Sequence, residues 1–389
     1  MLARLERPSR GWLIVACGAV LFAALFTWFG EQRLYGLHAG RDLGLFLQSL
    51  LGVAHGAGMQ NTIEGNHFAV HDSPILLLAV PLVALWPAPH ALIVASAALI
   101  GAGALPLYAL ALALGNPPRR AAALALLYLG VPAVHGFAFY NDFNENIFIP
   151  VLAFGFAWAY VSRRDAWLAV CGLGLLLIKE DQGIFIAWIA VLLATRSTGT
   201  RRVVLLALAA LGILTITIYL LTHHSIAGAR FYAGDPLSGT WAKAGSLLEL
   251  LAPLAFLPLF ARGLWWLAVP ILVELYAASA GDIFRIGSHY EISFVAFLFV
   301  AAAAALCKMT HPRRWLIAAA ALALTLIPLT DPSPLHLGPR YRYSYALDAP
   351  FLAGARARLE TGASVSVPEE YFPFVADFPN AHWSGSRMH

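Results

Sequence analysis

Lys179, Glu180 and Asp181 stand in a row between two apolar runs of only about thirteen residues each. Such a run is roughly 20 Å long as a helix at 1.5 Å per residue, short of the ~30 Å hydrocarbon core of a bilayer. The spacing therefore predicts three charges set below a membrane surface. A lysine beside two acids there is either a self-neutralising pair at a helix turn or a partner for a phosphate.

Four other segments carry similar chemistry. Asp42 opens a helical pattern, where an Asp commonly caps the helix and where a carboxylate could also take a proton from an attacking hydroxyl. His67, His71 and Asp72 fall within six residues just before Pro74. They could bind a divalent cation or contact a phosphate, although a zinc site wants three ordered ligands. The turn Asn141, Asp142, Asn144, Glu145, Asn146 holds five amides or carboxylates. That exceeds what capping the next helix requires and suits sugar hydroxyls or a cation. Asp282, Arg285, His289 and Tyr290 precede another apolar run, where they are either an interfacial anchor or part of the same site. Glu274 lies within a predicted span, and His223, His224, Arg230 and Asp235 lie in a further loop without a distinct role.

The elements that must position these residues are helices in a bilayer. Of 389 residues, 60% are hydrophobic and 12% charged, half the charge of a soluble domain and the opposite of a disordered chain. Apolar runs near 11–29, 73–114, 119–138, 146–162, 166–178, 182–195, 201–222, 246–261, 264–280, 291–307 and 314–330 predict an all-α integral membrane protein. The first run reads as a signal anchor that is retained.

Fourteen basic residues and two acids, Glu6 and Asp165, occupy the N-terminus and alternate connections. The opposite connections hold six basic residues and thirteen acids. The first set is assigned to the cytoplasm, which puts nearly all the polar residues named above, Glu274 within its span excepted, on the outer side. The stretch 73–114 then crosses an odd number of times, with 74–86 re-entrant or interfacial and 90–114 spanning. About eleven transmembrane helices follow, N-terminus in and C-terminus out, within a polytopic domain 1–330.

The first external loop, 30–72, carries an amphipathic pattern in Leu43, Phe46, Leu47, Leu50 and Ala54, with Gln48 and His55 opposite. It predicts a helix lying flat in the interface. Residues 331–389 read as a small extracytoplasmic segment packed on the outer face of the bundle, too small for a core of its own.

A net charge of +4 gives no nucleic-acid footprint, and Cys17, Cys171 and Cys307 have no metal or redox spacing. Phosphate-binding loops, dinucleotide fingerprints, His-Glu-x-x-His and Gly-x-Ser-x-Gly are absent from the sequence.

Asp42-Leu-Gly-Leu-Phe-Leu-Gln48, His71-Asp-Ser-Pro74, Asn141-Asp-Phe143 through Pro150, Lys179-Glu-Asp181, His289-Tyr290 and Ala363-Ser-Val-Ser-Val367 follow one another as in a bacterial membrane family that the chain resembles. This is domain-of-unknown-function family 2079, which looks related to the GT-C superfamily of membrane glycosyltransferases. Leu47 and Asn144 depart from its pattern, standing where an acid and a histidine are expected. The resemblance implies a GT-C-like bundle in the bacterial cytoplasmic (inner) membrane, facing the periplasm or cell exterior. It further implies a polyprenyl-phosphate-linked sugar as donor and Asp42 as the acidic catalytic residue of the first loop.

On that reading Asp42 deprotonates an acceptor hydroxyl and Lys179 stabilises the phosphate leaving group, with Arg285 and His289 as second choices. Asn141, Asp142 and Glu180 orient sugar or acceptor. A divalent cation, magnesium or manganese, has Asp42, His71 and Asp72 as candidate ligands. The alternatives are a transporter or flippase of a lipid-linked or polar solute, and a partner subunit without activity. Transporters usually show internal repeats and a midplane site, and neither is legible in this sequence.

Overall fold

The computed structural model describes residues 10–223, 232–281, 283–329, 333–335, 354, 356–359, 364–378 and 380–385. His224, Arg230 and Asp282 lie outside the described residues. The architecture is predominantly helical with several apolar helices, as expected of an all-α membrane protein.

The first helix, α1 (Arg10–Tyr35), has 26 residues and is therefore about 39 Å long. Leu37, at φ +57°, ends it in the left-handed turn common after helix C-termini and leads into α2 (Arg41–Ala54). A hairpin of β1 (Gln60–Asn61) and β2 (Gly65–Asn66) follows. Asn66 then caps a single 3-10 turn at His67–Ala69 by accepting from the Phe68 amide, so His67 and His71 lie on a loop rather than on one helical face.

Pro74–Leu85 is a short apolar segment ending in α3 (Val80–Leu85). Pro89–Ala113 is long and apolar enough to cross a membrane. It is built from α4 (Pro89–Ala102) and α5 (Ala104–Ala113). A β-carbon at the Gly103 junction would lie 2.7 Å from Pro150.

Next come α6 (Pro118–Leu129) and α7 (Pro132–Phe139), bent by 48° at Pro132. The bend has an ordinary cause, since proline supplies no N–H and clashes with the preceding turn. Then follow α8 (Ile149–Val161), α9 (Asp165–Leu176), α10 (Glu180–Ala194) and α11 (Gly199–Thr222). Among the described residues four helical segments are long and apolar enough to span: 10–35, 89–113, 199–222 and 289–306. The bent pair α6–α7 makes a fifth if it is one span.

Two stretches differ from the sequence expectation. The runs 246–261 and 264–280, expected as continuous spans, are broken. Helix α12 (Thr240–Leu251) is followed by 3-10 turns at Ala252–Leu254, Leu257–Phe260 and Arg262–Ala268, and only then by α13 (Val269–Ala277). Pro253 and Pro258 remove amide donors from the ladder, and Ala255 and Phe256 adopt left-handed backbone at φ +48° and +58°. Regular structure resumes in α14 (Ile292–Leu306) and α15 (Pro312–Leu326).

The second difference is α2, expected to lie flat with a polar face in water. Every residue from Leu43 to Leu51 is buried, Gln48 and Ser49 included. The polar face is covered by the hairpin and by the chain near its C-terminal end. Gln48 donates to the carbonyls of Phe378 (3.4 Å) and Ala381 (3.3 Å) and accepts from the Thr62 amide at 2.7 Å. A buried amide must find such partners, or its desolvation costs about 1–3 kcal/mol. The covering segment adds a short parallel pair, β3 (Val365–Val367) with β4 (Ala381–Trp383), to an otherwise helical protein.

Small residues set the closest helix contact. Helices α10 and α11 meet where a β-carbon on Gly183 would lie 2.8 Å from the Gly212 carbonyl oxygen, and one on Gly212 would lie 2.5 Å from that of Gly183. Lipid offers no hydrophobic drive between helices, so close backbone approach of this kind carries association. We predict that Gly212→Leu forces the pair apart and destabilises the protein by roughly 1–3 kcal/mol or more. Thermal unfolding in detergent would show a lowered midpoint; an unchanged midpoint would contradict the packing.

Candidate functional site

The 67–73 loop, the 140–146 turn, the α9–α10 turn and the segment before α14 converge through a chain of polar contacts. Lys179 immediately precedes α10 and is buried. Its ammonium stands 3.8 Å from Glu145 Oε1 and 5.6 Å from the centroid of the Tyr290 ring. The first distance is too long for a good hydrogen bond. Glu145 is itself buried, and its Oε2 finds no hydrogen-bond partner among the described residues. The pair thus keeps unused hydrogen-bonding capacity on both sides.

Glu180 has the opposite character, with its carboxylate saturated by the first loop. Oε1 accepts from His71 Nδ1 at 2.8 Å and Oε2 from the Asp72 amide at 3.2 Å. One turn of main chain reinforces the joint, the Ile75 amide donating to Leu177 at 2.9 Å. Asp181 accepts from Gln182, whose side chain also reaches Ser293 Oγ at 3.2 Å. Asn141 fixes the segment before α14. Its Oδ1 accepts from the backbone N and the Nδ1 of His289, at 3.1 and 3.2 Å, and its amide donates to Gly287 O. The His289 ring lies against that of Tyr290, with centroids 4.0 Å apart and planes tilted by 38°.

His67 is held apart from these contacts. It is buried between Glu64 (2.9 Å to Nδ1) and Ser73 (3.0 Å to Nε2), and both ring nitrogens are used inside the loop. This arrangement orders the loop and presents nothing to a ligand.

Asp42 and Asp142 form a second focus at the start of α2. The Asp42 side chain is 56% exposed and pairs loosely with Arg41 at 3.5 Å. It sits in the first turn of α2, after the capping residue Gly40 rather than as the cap. The surrounding protein still desolvates the carboxyl enough to raise its pKa. Asp142, 8% exposed, accepts from Arg33 Nη1 at 2.9 Å. Burial pushes its carboxyl up to about 6 against the pull of the Arg33 guanidinium, and the nearby Asp42 charge adds to the rise. Only glycine fits at position 40, because a β-carbon there would lie 2.6 Å from Asp142 Oδ2.

Arg33 is the main residue that the sequence reading missed. It also donates to the carbonyls of His38 (2.9 Å) and Phe139 (3.0 Å), tying α1 to the end of α7. Its signal was available: a cation in the last turn of a long apolar helix, where charge is scarce and needs a partner. Arg285 donates to Tyr140 OH at 2.9 Å and lies 4.5 Å over its ring, a cation–π contact.

Two cavities of opposite character flank these residues. One, ≈ 230 Å³, is almost wholly apolar and runs inside the bundle from Gln182 and Ser293 down to Tyr160 and Leu193. The other, ≈ 500 Å³, is polar and lies between the ends of α1 and α7, with Gly40 and Arg285 on its wall. Among the described residues no three His, Cys, Asp or Glu side chains group closely enough to hold a metal ion. Asp42, His71 and Asp72 therefore do not form such a group; Asp42 pairs with Arg41, and His71 is bonded to Glu180.

Residues 33–231 match the model of a family described as "Predicted membrane protein (DUF2079)". The match takes in Asp42, the 67–73 loop, the 140–146 turn and Lys179–Asp181, and the chain belongs to that family. No curated protein matches the chain. Among solved structures, the apo oligosaccharyltransferase of Archaeoglobus fulgidus is similar at a TM-score of 0.47 and 12% identity, over 97% of this chain and 64% of that one. The chain thus spans somewhat less than two thirds of that protein's length.

The raised Asp142 pKa has a testable sign. Between the ordinary value of 3.8 and about 6 the folded protein holds a proton that the unfolded chain has released. This group therefore favours folding at low pH, and its contribution is lost as pH rises towards 6. Asp142→Asn removes the titration. Its melting temperature relative to wild type should climb from about pH 4 to about pH 6 and then level off; a relative melting temperature that falls over that window contradicts the assignment.

Proposed function

We propose that this member of the family is a membrane glycosyltransferase that moves a sugar from a polyprenyl-phosphate donor to an acceptor hydroxyl on the extracytoplasmic side of the bacterial cytoplasmic membrane. The observation that carries the reading is the place of Lys179. It is a buried ammonium with a loose ion pair at 3.8 Å, three residues from Gln182, which rims the apolar cavity of the bundle. A lipid phosphate presents the complementary shape, with an anion to meet Lys179 and Tyr290 and an isoprenoid tail to fill the apolar space.

In the proposed reaction Asp42 removes the proton of the acceptor hydroxyl. The resulting oxygen attacks the anomeric carbon, the bond from that carbon to the phosphate oxygen breaks, and the polyprenyl phosphate leaves with the bonding pair. Lys179 stabilises the charge that develops on the leaving phosphate. An Asp42 carboxyl with a raised pKa is a stronger base than an ordinary aspartate.

Glu180 and Asn141 act by holding, the first fixing His71 and the loop behind Asp42, the second fixing His289. Of the second-choice residues, Arg285 lines the polar cavity and His289 is held by Asn141, whereas Lys179 stands three residues from Gln182 on the rim of the apolar cavity, which makes it the phosphate ligand of choice. No step passes through a metal ion. The proposal includes the N-in, C-out arrangement of about eleven crossings drawn from the charge pattern, with 331–389 as an outer segment.

The test separates donor binding from chemistry. With undecaprenyl phosphate as probe in lipid nanodiscs, Lys179→Ala should weaken binding about tenfold or more, the loss of one charge-assisted hydrogen bond. Asp42→Asn should bind the probe as wild type does, yet abolish transfer from a labelled polyprenyl-phosphate sugar. Equal binding by wild type and Lys179→Ala would overturn the donor site. Lost binding in Asp42→Asn would make Asp42 a ligand-holding residue, not the base.

A further inference from the structure

The polar cavity is not used by the donor reading, and its wall is unusual in carrying both signs of charge. It is lined by Arg33, His38, Tyr140 and Arg285 on one part and by Glu369 and Glu370 on another. At ≈ 500 Å³ it falls in the range of about 300–1,000 Å³ typical of small-molecule sites. It is also a built site. Arg33 is anchored by two carbonyls and by Asp142. Arg285 spends one donor on Tyr140 and has up to four of its five N–H groups left. Glu369 is held against the start of α2, where its Oε1 takes a 3.4 Å contact from the Arg41 amide.

We infer that this cavity is the acceptor site, and that it takes a neutral, hydroxyl-rich glycan end. The inference rests on the transferase reading and names its acceptor class. The chemistry narrows the class by exclusion. A phosphate or carboxylate would face Glu369 and Glu370, and an ammonium would face Arg33 and Arg285. A lipid would meet a polar wall with little apolar surface. Hydroxyl groups both donate and accept without net charge, so they satisfy guanidinium and carboxylate at once.

The place is right as well. Gly40 lines the cavity, and Asp42 follows two residues later at the start of α2. The 140–146 turn lies between the two sites, with Asp142 bound to Arg33 on the cavity side and Glu145 paired with Lys179 on the donor side. Glu369 and Glu370 come from the segment that covers α2, so that segment supplies specificity in addition to packing.

The test uses saturation-transfer NMR on the whole protein in nanodiscs, with methyl glucoside, methyl galactoside and methyl mannoside as probes, and phosphorus-31 line broadening of inorganic phosphate as the anionic control. At least one glycoside should receive saturation from wild type at millimolar concentration. Arg285→Ala, Glu369→Gln and Glu370→Gln should each weaken it about tenfold, the loss of a charge-assisted hydrogen bond, while keeping the wild-type melting temperature. Lys179→Ala should leave glycoside binding intact.

Three results would overturn the inference: no glycoside binds, glycosides bind wild type and all three variants alike, or phosphate alone binds in an Arg285-dependent way. Each leaves the donor site standing if undecaprenyl phosphate still depends on Lys179. If that dependence fails while the glycoside result holds, the sugar site stands and the lipid-donor reading falls.

Discussion

A charge buried among apolar helices has to be paired, and this requirement organises one end of the bundle. Glu180 cannot remain a bare carboxylate where it is, so it draws in His71 and the Asp72 amide. Lys179 cannot remain a bare ammonium, so Glu145 comes within 3.8 Å and Tyr290 turns its ring towards it. Two neighbouring residues at one helix turn thereby fix the 67–73 loop, the 140–146 turn and the entry to α14. Removing one partner of such a buried pair typically costs about 3–5 kcal/mol. The two pairings differ in completeness. Glu180 is saturated and structural, whereas Lys179 is only partly satisfied.

The second organising feature is the separation of polar from apolar space. The bundle keeps an apolar cavity beneath Gln182 and Ser293, and a polar cavity lies beside Arg33 and Arg285. The 140–146 turn stands between them and contributes a residue to each side, Asp142 to Arg33 and Glu145 to Lys179. Five amides and carboxylates in one tight turn have a structural explanation in this double duty. A transferase with a lipid-borne donor and a hydrophilic acceptor needs such a division, since each substrate must reach the same reacting atoms from a different medium.

The sequence was most legible where one physical signal dominated. The long apolar runs at 11–29 and 201–222 appear as α1 and α11, and the proline-bounded stretch 73–114 divides into a short segment and a long helical one. The short runs around Lys179 already placed its charges at a helix turn. Legibility failed where partners distant in sequence decide the outcome. The polar face of α2 resembles a surface that meets water, and only the chain some 330 residues later supplies the carbonyls that bury Gln48. The run 246–280 has the composition of two spans, but Pro253 and Pro258 break the helical ladder within it. Arg33 went unremarked because its three partners are a local carbonyl, the end of α7 and Asp142, and the last two lie more than a hundred residues away. His67 shows the converse, a residue that looked chemical and is consumed by Glu64 and Ser73.

The central claim is that Lys179 and the apolar cavity below it hold a polyprenyl phosphate. Native mass spectrometry of the wild-type protein, extracted with its own membrane lipids, tests this most directly. The account predicts a co-purified polyprenyl phosphate or its glycoside, whose mass would also give the composition class of the sugar. Retention of bulk phospholipid alone, from membranes shown to contain polyprenyl phosphate, would contradict it.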